Sequence, residues 1–212
     1  MCAKGTVGQM TKIKICGLSR ECDIEYANTL MPDFIGFVFF SPSKRYVNAE
    51  KAQELKNALD MRIKSVGVFV NESPEHICRL YDNGVIDYAQ LHGTENNNYI
   101  EALRSCCRIP IIKAFSVSGE RDAAEAERSC ADYILLDNGY GGTGKSFDWN
   151  FLSKIKRPYF LAGGLSSENI GEAVGRFHPF AVDVSSGVET DGFKEFAKMK
   201  LIIEAVRSNY SF

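Results

Sequence analysis

Eight short apolar runs, separated by helix-forming segments, constrain the fold of this chain more than any other feature. They are KIKIC (12–16), FIGFVFF (34–40), IKSVGVFV (63–70), DYAQLH (87–92), PIIKAF (110–115), DYILLD (132–137), PYFLAG (158–163) and FAVDVS (180–185). GFVFF and ILLD are apolar at successive positions, as in parallel strands covered on both faces and unlike strands with one wet face. Between the runs, NAEKAQELKNAL (48–59), SPEHICRLYDNG (73–84) and NNYIEALRSC (97–106) have helical spacing, several opened by Asn or Ser as N-caps. Eight βα units in 212 residues predict a single-domain (β/α)8 barrel, an α/β fold at the small end of its size range. An open doubly wound sheet is the competing arrangement, and strand count alone does not exclude it. The Gly-rich and Asn-rich patches have the lengths of βα loops, so no linker divides the chain. Residues 12–212 form one barrel domain in this reading, and residues 1–11 are an extension expected to fray.

Composition narrows the partners. A formal charge of −2 supplies no basic surplus for nucleic acid or an anionic membrane, although a local basic pocket for a small anion is compatible with it. Seven cysteines, odd in number and without a Cys-x-x-Cys pair, fit a reducing cytoplasm. The opening MCAKGTVGQM is too short and weakly apolar to be a signal, and no run approaches the ~20 apolar residues of a spanning helix. A cytoplasmic protein with a small-molecule partner is the expectation.

In a barrel, reactive groups belong at the C-terminal ends of strands and in the loops just beyond. Cys16, Arg45, His92, Asp137, Gly163-Gly164 and Ser185-Ser186-Gly187 all close or follow apolar runs. Cys16 is a small buried hydrophobe on one reading. On the other, Lys14 two residues back lowers the thiol pKa and the thiolate faces the barrel mouth. Asp137 either caps or pairs with a loop, or is a carboxyl made costly to ionise by burial, which suits a general acid. Arg45, in SPSKRYV, is either a solvated loop cation or a planar fork for a carboxylate. AGGLSSENI, with Ser166 or Ser167 as helix cap, and SSGVE offer backbone amides to a phosphate. Each is an ordinary Gly-rich turn alone; together, after strands seven and eight, they match a common phosphate site of barrels.

One motif points elsewhere. GYGGTGKS, Gly139 to Ser146, fits the phosphate-loop pattern G-x-x-x-x-G-K-[ST] and follows a strand. A nucleotide cradle needs Lys145 and Ser146 on the first helical turn, whereas Asp148 reads as the N-cap of the following helix. The segment therefore reads as a Gly-rich flap over the barrel mouth.

KICGL, GFVFFSPSKRYV, VGVFVN, QLHG, IIKAF, LLDNGYGGTGKSFDW, LAGGLSSENI and AVDVSSGVE, in that order, resemble the phosphoribosylanthranilate isomerase family of tryptophan biosynthesis. The similarity runs from about Lys12 to the final helix. DNGYGGTGK is a compact version of that family's loop, and ENNNYI lacks a proline common nearby. The resemblance implies an Amadori rearrangement, an aldose-ketose isomerisation of N-(5-phosphoribosyl)anthranilate to 1-(2-carboxyphenylamino)-1-deoxyribulose 5-phosphate. It implies Asp137 as general acid, Cys16 as general base and Arg45 on the anthranilate carboxylate. Gly163, Gly164, Ser185, Ser186 and Gly187 would hold the sugar phosphate, with His92 and Asp183 lining the mouth or orienting neighbours. No metal or organic cofactor is implied, because the iminium formed from the substrate's own nitrogen is the electron sink. The implied partner is the phosphosugar-anthranilate substrate, with the chain a monomer or homodimer. A phosphate-loop NTPase acting through Lys145 and a non-catalytic phosphosugar-binding barrel are the competing functions.

Overall fold

In a computed structural model that describes residues 10–137, 152 and 155–210, each apolar run becomes a strand. These are β1 (Lys12–Cys16), β2 (Phe34–Val38), β3 (Lys64–Phe69), β4 (Tyr88–Leu91), β5 (Ile111–Ser116), β6 (Tyr133–Asp137), β7 (Tyr159–Ala162) and β8 (Ala181–Val184). They pair in chain order, all parallel, and β8 closes on β1 through the pairs Lys12↔Ala181 to Ile15↔Val184. Closure leaves the main sheet without an edge and rules out the open doubly wound alternative.

The described helices are α1 (Glu21–Leu30), α2 (Ala49–Ala58), α3 (Pro74–Asp82), α4 (Asn97–Cys106), α5 (Glu120–Glu127), α6 (Ile170–Phe177) and α7 (Phe196–Ser208). The expected caps form at α2, α3 and α4, where Asn48, Ser73 and Asn96 side chains accept from the amides of Lys51, His76 and Tyr99. At α6 the start falls later than expected: Asn169 is the N-cap residue, not Ser166 or Ser167. Asn169 Oδ1 accepts from the Ser166 amide and its Nδ2 donates to the Gly164 carbonyl. This local side-chain bonding gives the segment a turn in place of a first helical turn.

Alternation along the strands sorts side chains between two apolar regions. Ile13 and Ile15 of β1 join the large core between the barrel and its helices. The barrel interior holds Phe34, Val66, Ile112, Leu135 and Phe160, all nearly or fully buried. Near its N-terminal end the rings of Phe34, Phe160, Tyr133 and Phe180 pack together, with Phe34 and Phe160 centroids 5.6 Å apart and Tyr133 and Phe180 centroids 4.8 Å apart. This aromatic plug makes the interior a packed core and not a pore.

Residues 1–9 of the expected extension lie outside the described residues. Thr11 is buried; its hydroxyl donates to the Pro179 carbonyl at 2.9 Å and meets the Tyr210 hydroxyl at 2.8 Å. No helix among the described residues is long and apolar enough to cross a membrane.

Phe160→Ala should cost about 3–5 kcal/mol of unfolding free energy in denaturant melts, because it empties the plug where the walls cannot collapse. Leu201→Ala, at a half-exposed position on α7, should cost less than about 0.5 kcal/mol. Equal losses at the two positions would contradict a packed interior.

Candidate active site

The period of two that fills the barrel with apolar side chains also brings polar ones to its C-terminal end. There the strand ends and following loops surround a cavity of about 400 Å3. Cys16, Arg45, His92, Asp137 and Asp183 line it, as do Gly163, Gly164 and Ser185-Ser186-Gly187. The residues expected at strand ends therefore meet in one place. One wall, formed by Val38, Phe40, Val68 and Val70, is apolar and presents a surface suited to a flat ring. A larger cavity of about 610 Å3 lies among Lys113, Phe115, Arg121 and Arg128 and contains none of these groups.

Cys16 ends β1 opposite Gly36 of β2, and a β-carbon at Gly36 would lie only 2.7 Å from the Cys16 sulfur. The absent side chain at position 36 is what leaves room for the thiol. Beneath it Lys14, fully buried, donates to Asp183 Oδ2 at 2.7 Å and places its charge near the thiol. The expected lowering of the Cys16 pKa is overturned: burial pushes the thiol above its ordinary value of 9.0. Lys14 pulls the other way, but Asp183 pairs with that lysine and its own negative charge opposes the thiolate.

Asp137 ends β6 with its side chain 31% exposed, so the expected burial of this carboxyl is only partial. His92 Nε2 lies 3.9 Å from Asp137 Oδ2, too far for a direct hydrogen bond. Desolvation by the surrounding walls lowers the His92 pKa below 6.5, against the pull of Asp137, so the ring is neutral at pH 7 although its edge opens to the mouth. Its Nδ1 lies 2.9 Å from Gln90 Nε2; with that amide nitrogen donating, the ring proton resides on Nε2, the side towards Asp137. The Gln90 Oε1 and Asp183 Oδ1 atoms are buried on the cavity wall without a hydrogen-bond partner among the described residues. Two such acceptors call for hydroxyl or water donors.

Arg45 reaches the mouth, but not as the open fork expected. Its Nε and Nη2 donate to Glu189 at 2.6 and 2.8 Å, so one edge of the guanidinium is already engaged. Glu189 in turn accepts from Lys194 at 2.7 Å, and these cations draw its pKa down to about 2 although burial opposes them. The Ser185 hydroxyl donates to the Cys16 carbonyl at 3.1 Å. Gly163 and Gly164 have φ of 91° and 63°, in the left-handed region that favours glycine. Gly187 lies flush against the Leu165 carbonyl, where a β-carbon would come within 2.1 Å, so the turns after β7 and β8 abut. Gln90, Gly36, Glu189 and Lys194 were not singled out by sequence reasoning. Only Glu189, a charge inside the SSGVE turn, left a trace there. GYGGTGKS, with Lys145, Ser146 and Asp148, lies outside the described residues.

Comparison with known proteins gives this geometry a context. The structure resembles the crystal structure of phosphoribosylanthranilate isomerase from Thermotoga maritima, with a TM-score of 0.85 and 38% identity over 94% of this chain and 100% of that one. It also resembles a phosphoribosylanthranilate isomerase solved with reduced 1-(o-carboxyphenylamino)-1-deoxyribulose 5-phosphate, with a TM-score of 0.83 and 36% identity over 94% and 100% of the two chains. In sequence it is 47% identical to the N-(5'-phosphoribosyl)anthranilate isomerase of Caldanaerobacter subterraneus subsp. tengcongensis, over 93% of this chain and 98% of that protein. The family model for N-(5'-phosphoribosyl)anthranilate isomerase matches residues 13–205. A barrel of this topology, with this mouth and these relatives, belongs to the N-(5'-phosphoribosyl)anthranilate isomerase family.

Proposed function

We propose that this chain converts N-(5-phosphoribosyl)anthranilate to 1-(2-carboxyphenylamino)-1-deoxyribulose 5-phosphate in L-tryptophan biosynthesis, as a cytoplasmic enzyme. The observation that carries the reading is the convergence of Cys16 and Asp137 on one cavity that also has an apolar ring wall, an arginine and two abutting Gly turns. The relative solved with the reduced product supports it, because that ligand has the aryl, carboxylate and phosphate groups these features suit. The Thermotoga maritima relative is described as dimeric, which fits the homodimer among the expected states.

Asp137, protonated, gives its proton to the ribose ring oxygen as the bond from that oxygen to C1 breaks. The nitrogen lone pair then forms an iminium with C1. Cys16 thiolate removes the proton from C2, acidified by that iminium, and the enolamine becomes the ketone as the Cys16 thiol returns a proton to C1 and the C2 hydroxyl proton passes to the Asp137 carboxylate, which restores both groups. The raised thiol pKa of the free protein is compatible with this order. A cationic iminium brought beside the sulfur favours the thiolate in the complex, where burial alone disfavours it. His92 faces Asp137 across 3.9 Å at the mouth, while Gln90 and Asp183 line the wall beside the sugar. The turns at Gly163-Gly164 and Ser185-Ser186-Gly187 hold the phosphate at one end and Arg45 the carboxylate at the other. Fixing both ends places C1 and C2 between acid and base, a positioning effect that amounts to several kcal/mol.

Adding the protein to substrate should extinguish the anthranilate fluorescence; a signal that does not change would refute the activity. Cys16→Ala and Asp137→Asn should each lower turnover at least about a hundredfold with the fold intact by circular dichroism. Near-normal turnover in either variant removes that residue from the mechanism. Gly36→Ala should reduce turnover by roughly ten- to a hundredfold by displacing the sulfur, with a stability loss of only about 1–3 kcal/mol. Unchanged turnover would mean that the thiol position is not critical.

A further inference from the structure

We infer that Glu189 and Lys194 are positioning residues that set the Arg45 guanidinium to recognise the carboxylate of the aryl group, an assignment that rests on the role given to Arg45 above. Glu189 belongs to β9 (Glu189–Thr190), which pairs antiparallel with β10 (Phe193–Lys194) just beyond β8, in the register Lys194↔Glu189. The Glu189 side chain is 5% exposed and that of Lys194 is 1% exposed, and neither lines the cavity, so any effect on substrate passes through a neighbour. Glu189 receives the Nε and Nη2 edge of Arg45. Lys194 Nζ, besides its bond to Glu189, donates to the Ser185 carbonyl at 3.0 Å, and the Ser185 hydroxyl donates to the Cys16 carbonyl.

This series of bonds joins the clamp to the backbone of the base. A two-point bond to a carboxylate fixes the plane of a guanidinium, which one point would leave free to swing. The stem of Arg45 is fixed as well: it crosses the face of Gly17, where a β-carbon would come within 2.3 Å of Arg45 Cδ, and Gly17 itself has φ of 84°. Lys198 holds the same ribbon from α7, donating to the Glu189 carbonyl at 2.8 Å. The charges do not cancel. One carboxylate is shared by two closely bonded cations, Arg45 and Lys194, with Lys44 a further 3.7 Å contact. Arg45 is thereby held by an anion and still faces the mouth with net positive surroundings, which suits an anionic ligand.

The test compares two stable ligands by calorimetry: the reduced product analogue and its phenylamino counterpart, which lacks the carboxylate. The ratio of their affinities does not depend on how much of a variant is folded, so a merely structural role would leave it unchanged. The wild-type protein should prefer the carboxylated ligand by at least about tenfold, and Arg45→Ala should abolish the preference. Glu189→Gln should cut it at least about fivefold, and the double variant should match Arg45→Ala alone, as expected for residues acting as a unit. Glu189→Asp, which keeps the charge but shortens the reach, should fall between wild type and Glu189→Gln, and it carries the test if Glu189→Gln does not fold. A wild-type preference in both Glu189 variants, with Arg45→Ala losing it, overturns this inference and leaves the clamp standing. A wild-type preference in Arg45→Ala overturns the clamp itself.

Discussion

The seam where β8 meets β1 is held by a buried charge pair, and the rest of the architecture depends on it. Lys14 and Asp183 are direct register partners across that seam, and their side chains meet at 2.7 Å with the lysine fully enclosed. A slip of one residue would set Lys14 beside Val182 or Val184 and leave two buried charges uncompensated. Separating such a pair costs about 3–5 kcal/mol. The ion pair is therefore a registry device for closing the barrel, and the register it selects is the one that brings Cys16, Asp183 and Ser185 to the same end.

The same pair governs the chemistry of the thiol. A lysine beside a cysteine is an activating arrangement only while its charge is unshared. Here the charge is largely answered by Asp183, so burial dominates and the sulfur stays protonated in the free protein. In the proposed reaction the thiol is thus a base at rest until the cationic iminium forms beside it, and the substrate's own charge supplies what Lys14 alone does not.

The fold was legible in the sequence because strands buried on both faces leave continuous apolar runs, and the observed strands fall within the runs read from KIKIC to FAVDVS except β5, which goes on one residue to Ser116. The candidate residues were legible for a related reason: each closes such a run, and strand ends converge in a closed barrel. What escaped were pairings between distant positions. The partner that alters Lys14 lies 169 residues away, and the one that engages Arg45 lies 144 away. No local pattern announces either, so Lys14 read as activating and Arg45 as an open fork. The start of α6 was misplaced for a more local reason, since Ser166, Ser167 and Asn169 are all competent caps and the Asn169 side chain instead closes a turn on Ser166 and Gly164.

The aromatic plug has a kinetic consequence. With Phe34, Phe160, Tyr133 and Phe180 packed across the floor, the barrel as described is closed at the strand N-termini and open at the strand C-termini. On the proposed function substrate and product share that doorway in turn, so departure of one ligand precedes arrival of the next.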